Sequence, residues 1–377
     1  MKPIQNVGIL TMHRVINHGS FMQAYALKSI IESYGYEVSF RDFKAGTAKH
    51  KGEKVVLPSL MQKIKKIPRT ILNINHAILK RSFSKKMEHQ FKNQYWPLLG
   101  VGIDHNYDLS ADKMFIGSDE VFNYTQNHGF AYVPCLFGHQ IVAKDIVSYA
   151  ASAGYANWTD VVNDDMKEEI GSGFNKINFL SVRDQNTSDI VTNCTGNAPT
   201  LVIDPTLLYD FHKEMPKQRL IEGKYLLIYA YGGRMDSPEE ISAIKNYAAS
   251  KKLKIVSAGF YHDWCDENIL VSPFELLKVF KDAEFVVTDT FHGSIFAMKN
   301  AKQFATFVRK KSVWGSNSNK VVYLLKQFGM ESRIVDDLDM IPGVLEAPAP
   351  YDIFNKQLEE WQEKSKSFLA SVLENRV

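Results

Sequence analysis

An α/β fold of two parallel-sheet domains is what three features of this sequence predict. The chain has 377 residues, about twice what a single hydrophobic core usually organises. Short apolar runs alternate with helical patterns in both halves, as strand–helix–strand units with right-handed crossovers require. Apolar residues make up 45% and charged residues 23%, which excludes disordered, collagen-like and disulfide-scaffold chains.

The elements follow in order. Val7 to Met12 is a short apolar run and reads as a buried strand. From Ser20 to Tyr34 the residues Ala24, Leu27, Ile30, Ile31 and Tyr34 form one helical stripe, with Gly35 as the stop. Tyr36 to Phe40 is the next strand. The rhythm resumes with strands at Lys113–Gly117, Ile141–Tyr149, Phe179–Val182 and Thr200–Ile203. Polar residues cluster between 209 and 223 and mark a boundary. The second half places strands at Tyr225–Tyr229, Lys254–Ser257, Phe285–Thr288 and Gln303–Val308. Two of its helices announce themselves alike: Ser237-Pro238-Glu239-Glu240 and Ser272-Pro273-Phe274-Glu275 each combine a serine cap, a first-turn proline and a returning glutamate. A long amphipathic helix from Asp352 to Val372 carries Phe354, Leu358, Trp361, Phe368, Leu369 and Val372 on one stripe. The reading is therefore two Rossmann-like domains facing a cleft, at 1–208 and 220–345, with a C-terminal helix in 350–377.

One segment breaks the alternation. Within an insertion at 44–105, residues 49 to 92 hold twelve Lys or Arg against Glu53 and Glu88, interleaved with Leu57, Leu60, Met61, Ile64, Ile67, Ile71, Leu72 and Ile78. Such a basic, partly amphipathic helical insertion either packs on its own domain or meets an anionic surface. Nucleic acid is disfavoured, because no base-stacking motif accompanies the charge. The chain as a whole is near balance: 45 basic minus 42 acidic residues gives +3. No stretch of 18 apolar residues exists to span a membrane. Residues 1–6 run into a strand pattern without the apolar core of a signal peptide. Cys135, Cys194 and Cys265 lack the spacing of a metal or disulfide framework. These features place the protein in the cytoplasm, with a peripheral position at the inner membrane face as the insertion's further implication.

In parallel sheets, ligands bind beyond the carboxyl ends of the strands, so the loops there are the places to search. Thr288-Asp289-Thr290-Phe291-His292-Gly293-Ser294 delivers a histidine at a strand end, with a glycine that permits close approach and a helix start suited to an anion. A histidine tied structurally to Asp289 is the plain alternative. Ser181-Val182-Arg183-Asp184 offers a guanidinium able to grip carboxylate or phosphate, or else a cap. Asp204-Pro205 supplies an acid or merely a turn. Gly117-Ser118-Asp119 puts small residues and an acid past a strand. Asn17-His18-Gly19-Ser20 opens a helix but lacks the spacing of a dinucleotide site. Asp336-Asp337 is a weak metal candidate, and no metal is assigned.

Taken together, these segments resemble the polysaccharide pyruvyl transferase family. The carriers are Asn17-His18-Gly19-Ser20 with Gln23 to Leu27, Gly117 to Asn123, Ser148 to Ser152, Ser181 to Asp184, Asp204 to Leu208 and Thr288 to Gly293, in order over roughly residues 6 to 330. The resemblance implies a fold similar to the glycosyltransferase-B architecture and transfer of a pyruvyl group from phosphoenolpyruvate to a sugar, free or lipid-linked. It casts His292 as the catalytic residue. Relatives often carry an arginine two residues before that histidine, where this chain has Thr290. Anion binding must then lean on Arg183, Arg309, Lys310 or Lys311.

The chemistry accounts for these residue types. Phosphoenolpyruvate brings a carboxylate and a phosphate, and ketal formation needs both proton donation and proton removal. The expected catalytic set is His292, Asp119 and Asp204. The expected substrate-binding set is Arg183, Asn17, Gly19, Ser20, Ser118, Thr290, Gly293, Ser294 and Lys310. No cofactor is required. Two other functions fit the same fold: a glycosyltransferase using a nucleotide sugar, and a sugar- or anion-binding protein without catalysis.

Overall fold

The computed structural model describes residues 5–52, 74–126, 129–308 and 318–374. Arg309, Lys310 and Lys311 lie outside them, as do residues 53–73 of the insertion.

Two six-stranded parallel sheets form the frame. The first has the order β2-β1-β3-β4-β5-β6, from β1 (Asn6–Leu10), β2 (Glu37–Arg41), β3 (Ser110–Ile116), β4 (Val142–Ala151), β5 (Phe179–Val182) and β6 (Thr200–Leu201). The second has the order β12-β11-β10-β7-β8-β9, from β7 (Tyr225–Tyr229), β8 (Lys254–Ala258), β9 (Glu267–Ile269), β10 (Phe285–Thr288), β11 (Gln303–Phe307) and β12 (Ile334–Val335). Strand β7 is buried along its whole length, and β1 along all but its first residue. Apolar runs without alternation have this explanation: both faces of each sheet are covered by helices.

The order of strands determines where loops gather. In the first sheet the chain passes from β1 to β2 on one side and then to β3 on the other. In the second it passes from β7 through β8 and β9, then returns to β10 beside β7. Adjacent loops leave in opposite directions at these two points and open a crevice between them. The register puts the strand ends level, with Leu10 opposite Ile116 and Tyr229 opposite Thr288.

Local chemistry fixes the helices. Both expected capping boxes are formed, with Ser237 and Ser272 accepting from the amides of Glu240 and Glu275. Each is worth about 1 kcal/mol. The first helix spans His18–Ser33, two residues earlier than its apolar stripe suggests, because Asn17 caps it. The terminal helix Tyr351–Leu373 ties the two sheets together. Phe354 meets Phe328 of the second unit at 5.6 Å, whereas Ser365 accepts the Ile203 amide and Tyr36 donates to the Leu373 carbonyl in the first. Strands β9 and β12 and the helices Ser318–Gln327 and Ile341–Glu346 complete the second unit.

Of the insertion, residues 74–90 form a helix. Phe83 and Met87 are buried, with Phe83 meeting Tyr261 of the second unit at 5.9 Å. Lys80, Arg81, Lys85 and Lys86 are exposed.

Candidate active site at the seam between the sheets

The loops after β1, β3, β5 and β6 meet those after β7 and β10. His292 stands in the first turn of the helix Phe291–Lys299, capped by the Thr290 hydroxyl, which accepts from the Gly293 amide. The ring is 6% exposed. It does not sit in an apolar core. Nε2 is buried without a hydrogen-bond partner, 3.7 Å from Asp204 Oδ2. Across the seam, Gly19 abuts the other side of the ring, and a Cβ there would fall inside contact distance of Nδ1 and Cγ. Glycine is required at 19 because the imidazole occupies the space of a side chain.

Asp204 unites the two readings open to it. Its Oδ1 caps the short helix Pro205–Leu208, accepting from the Thr206 amide at 3.0 Å and hydroxyl at 2.6 Å. Its Oδ2 accepts from Arg183 Nη1 at 2.7 Å and from the Ser118 hydroxyl at 3.2 Å. Burial alone would raise the pKa of this carboxyl. The neighbouring His292 ring, the Arg183 charge and the Thr206 hydroxyl overcome it and hold the group well below the usual carboxylate range.

Arg183 is likewise buried, and Phe291 lies 4.2 Å beneath its guanidinium. Its second terminal nitrogen is 3.5 Å from Asp119 Oδ1. The guanidinium expected to grip a substrate anion is therefore engaged by two carboxylates of its own domain. Asp184, the alternative capping partner, instead caps the helix Gln185–Thr195 and accepts from Ser152 at 2.6 Å.

Asp119 follows Gly117 and Ser118, whose peptide is cis, and itself has a φ of 74°. Left-handed backbone at a non-glycine residue is uncommon and concentrates at functional sites. Its Oδ2 accepts from the Ser20 hydroxyl at 2.8 Å, across the β1/β3 crevice. Next to it, Glu120 forms an ion pair with Lys320 of the facing unit. Burial works against the Glu120 charge, but Lys320 and the Asn123 amide bring its pKa down to about 2.

The remaining expected residues divide plainly. Asn17 spends its side-chain oxygen on the Gly19 and Ser20 amides, so those two groups are occupied by the cap. Ser294 is fully buried and bonds to the Thr290 carbonyl and Thr306 hydroxyl. Gly293 packs against the Thr288 and Thr290 hydroxyls. These residues build the loop rather than line the seam. Asp337 accepts from the Asp339 amide in an exposed turn, and among the described residues no three ligating side chains are grouped for a metal ion.

Sequence reasoning passed over Glu120, Lys320 and Arg234. Arg234 lies in Tyr231-Gly232-Gly233-Arg234, the loop after β7, with Nη1 3.7 Å from Asp289 Oδ2. A glycine pair directly after a buried strand was the available signal.

Two comparisons bear on this arrangement. A protein from Listeria monocytogenes, described as a UDP-N-acetylglucosamine 2-epimerase, superposes with a TM-score of 0.50 at 10% identity, covering 98% of this chain and 95% of that one. A kitacinnamycin glycotransferase follows at 0.48 and 9% identity, with 99% of each chain covered. The spinosyn rhamnosyltransferase SpnG gives 0.45 at 10% identity, with 98% and 100% covered. The fold of two parallel-sheet α/β domains is thus shared with that epimerase. Residues 17–311 match the model of the polysaccharide pyruvyl transferase family, and the chain belongs to that family. No curated protein sequence matches it.

Proposed function

We propose that this protein transfers the pyruvyl group of phosphoenolpyruvate to two hydroxyls of a sugar, forming a cyclic ketal and releasing phosphate. The observation that carries the reading is the free Nε2 of His292, buried at the seam and 3.7 Å from an ionised Asp204, in a member of this family.

His292 supplies the acid and base chemistry. A proton delivered to the donor's methylene carbon makes a methyl group and leaves the adjacent carbon electrophilic. One sugar hydroxyl attacks that carbon, the phosphate departs, and a second hydroxyl closes the ring. Of the two hydroxyl protons, one balances the proton given to the methylene and the other leaves with phosphate. Asp204 lies beside the imidazole and orients it. Arg183 keeps Asp204 ionised and holds both Asp204 and Asp119 in place, and Asp119 orients an acceptor hydroxyl. The scheme uses no redox cofactor.

The test is phosphate release from phosphoenolpyruvate with sugar acceptors, paired with mass spectrometry for the ketal. His292→Ala should lose about 10²–10⁴-fold in kcat, the range of positioned proton transfer. Activity within tenfold of the unaltered protein would remove His292 from its role.

The acceptor's setting follows from the insertion. On helix 74–90, Lys80, Arg81, Lys85 and Lys86 are exposed beside Ile78, at 61% exposure, and Leu79, at 52%. Among the described residues no helix is long and apolar enough to cross a membrane. We infer that this face rests on an anionic bilayer presenting a lipid-linked acceptor, with each cation contributing about 1 kcal/mol. Vesicles containing phosphatidylglycerol should pellet the protein at low salt and release it at high salt. Absence of low-salt pelleting would dispose of this placement.

A further inference from the structure

A donor bearing a carboxylate and a phosphate needs cations that are not already spent. At the seam most of them are. Arg183 faces Asp204 and Asp119, and Lys320 is paired with Glu120. Lys299 gives its protons to the Thr206 and Tyr209 carbonyls. Thr290, beside His292, carries no charge.

Arg234 differs from all of these. It projects from the glycine-rich loop after β7, next to the β10 loop that bears His292, at the second sheet's switch point. Its contact with Asp289 is 3.7 Å, longer than a hydrogen bond. Its Nε is buried and donates to nothing, as is true of Arg183 also, so the loose Asp289 contact is what sets it apart. The guanidinium carbon lies over the Tyr231 ring at 4.8 Å, a contact that uses none of its donors. The Asp289 that Arg234 approaches stands three residues before His292, so this loop adjoins the seam. Gly233, its neighbour, lines a cavity of about 220 Å³ together with His76, Lys80, Asp236 and Asp263. The arrangement is a planar fork with open donors, set over a ring and loosely tethered. An oxyanion with two oxygens in a plane satisfies such a fork bidentately.

Resting on the pyruvyl-transfer reading, we propose that Arg234 is the residue that grips the donor's anionic group, turning from Asp289 to carboxylate or phosphate oxygens as phosphoenolpyruvate binds. It is a substrate-binding residue of the reaction centre, and no other described cation at the seam is as free to serve.

Calorimetric titration with phosphoenolpyruvate tests this, alongside steady-state kinetics. Arg234→Ala should weaken donor Kd at least tenfold and raise KM for the donor, leaving KM for the acceptor within about twofold. Arg234→Lys should recover part of the affinity, because a point charge replaces the fork. Because Arg234→Ala leaves Asp289 without this neighbour, the double variant Arg234→Ala/Asp289→Asn is titrated as well, and it should bind as weakly. Donor binding unchanged in both variants, with turnover intact in the unaltered protein, overturns the assignment alone. Failure of the unaltered protein to bind or turn over phosphoenolpyruvate overturns both it and the function.

Discussion

The two sheets differ in strand order, each with its own switch point, and they present opposite charges there. Where β1 and β3 diverge, the first unit offers Asp119 and Glu120, with Asp204 beside them from the loop after β6. Where β7 and β10 diverge, the second offers His292 and Arg234, with Lys320 from the helix Ser318–Gln327. Topology decides where a ligand can sit; the residues decide which ligand. A sugar is neutral and is oriented through its hydroxyls, which carboxylates accept. On the proposed reading the donor is an anion and wants guanidinium, imidazole and ammonium groups. Each side also carries one residue of the opposite sign, Arg183 in the first and Asp289 in the second, and each lies buried among the charges it restrains.

The sharpest way to break this division is to empty its centre. Asp204→Ala leaves Arg183 buried without its closest partner, and losing one member of a buried pair costs about 3–5 kcal/mol. Phosphate release should fall about 100-fold or more, since His292 also loses the carboxylate beside its ring. Chemical unfolding and the phosphate assay together check both effects. Asp204→Asn keeps the shape and should destabilise less while remaining nearly as inactive. An active, fully stable Asp204→Ala protein would mean the seam is not the reaction centre.

A smaller effect tests how closely the two sides must meet. Gly19→Ala drives a methyl group into the His292 ring, and overpacking of this kind costs about 1–3 kcal/mol. The ring shifts or the units part, and kcat should drop more than donor affinity does. Gly102→Ala, which meets nothing within 4 Å, is the control. Equal behaviour of the two variants would show that the contact at residue 19 is dispensable.

Much of this contrast was legible beforehand. Parallel strands declare themselves through unbroken apolar runs such as Tyr225–Tyr229, and both serine capping boxes formed as written. His292 stood out because a strand end, a glycine and a helix start coincide there. What could not be read was which polar groups would be consumed. Asn17 and Thr290 hold chemistry-bearing atoms but spend them on caps, and Ser294 disappears into its own helix. Arg183 reads as a free cation until Asp204, 21 residues on, is folded against it. Glu120 and Lys320 are 200 residues apart and meet only across the seam, so no local pattern could pair them. Strand β12 was missed because two residues, Ile334 and Val335, make no detectable run.

The smallest effect separates the seam's two histidines. His292 leaves Nε2 open, whereas His18 donates its Nε2 proton to the Val271 carbonyl at 2.9 Å, bridging the first helix to the second unit. Burial lowers the His18 pKa to about 4, against which the Val271 bond works only partly. An unfolded histidine titrates near 6.5, so below that pH the unfolded chain binds a proton that the folded one refuses. The neutral contact therefore stabilises the protein fully above about pH 6.5, and its contribution declines as pH falls toward 4. At pH 5.5 the loss is on the order of 1 kcal/mol. Unfolding curves across this window should show a steeper decline for the unaltered protein than for His18→Gln, whose amide does not titrate. Parallel curves would mean that His18 is protonated while folded.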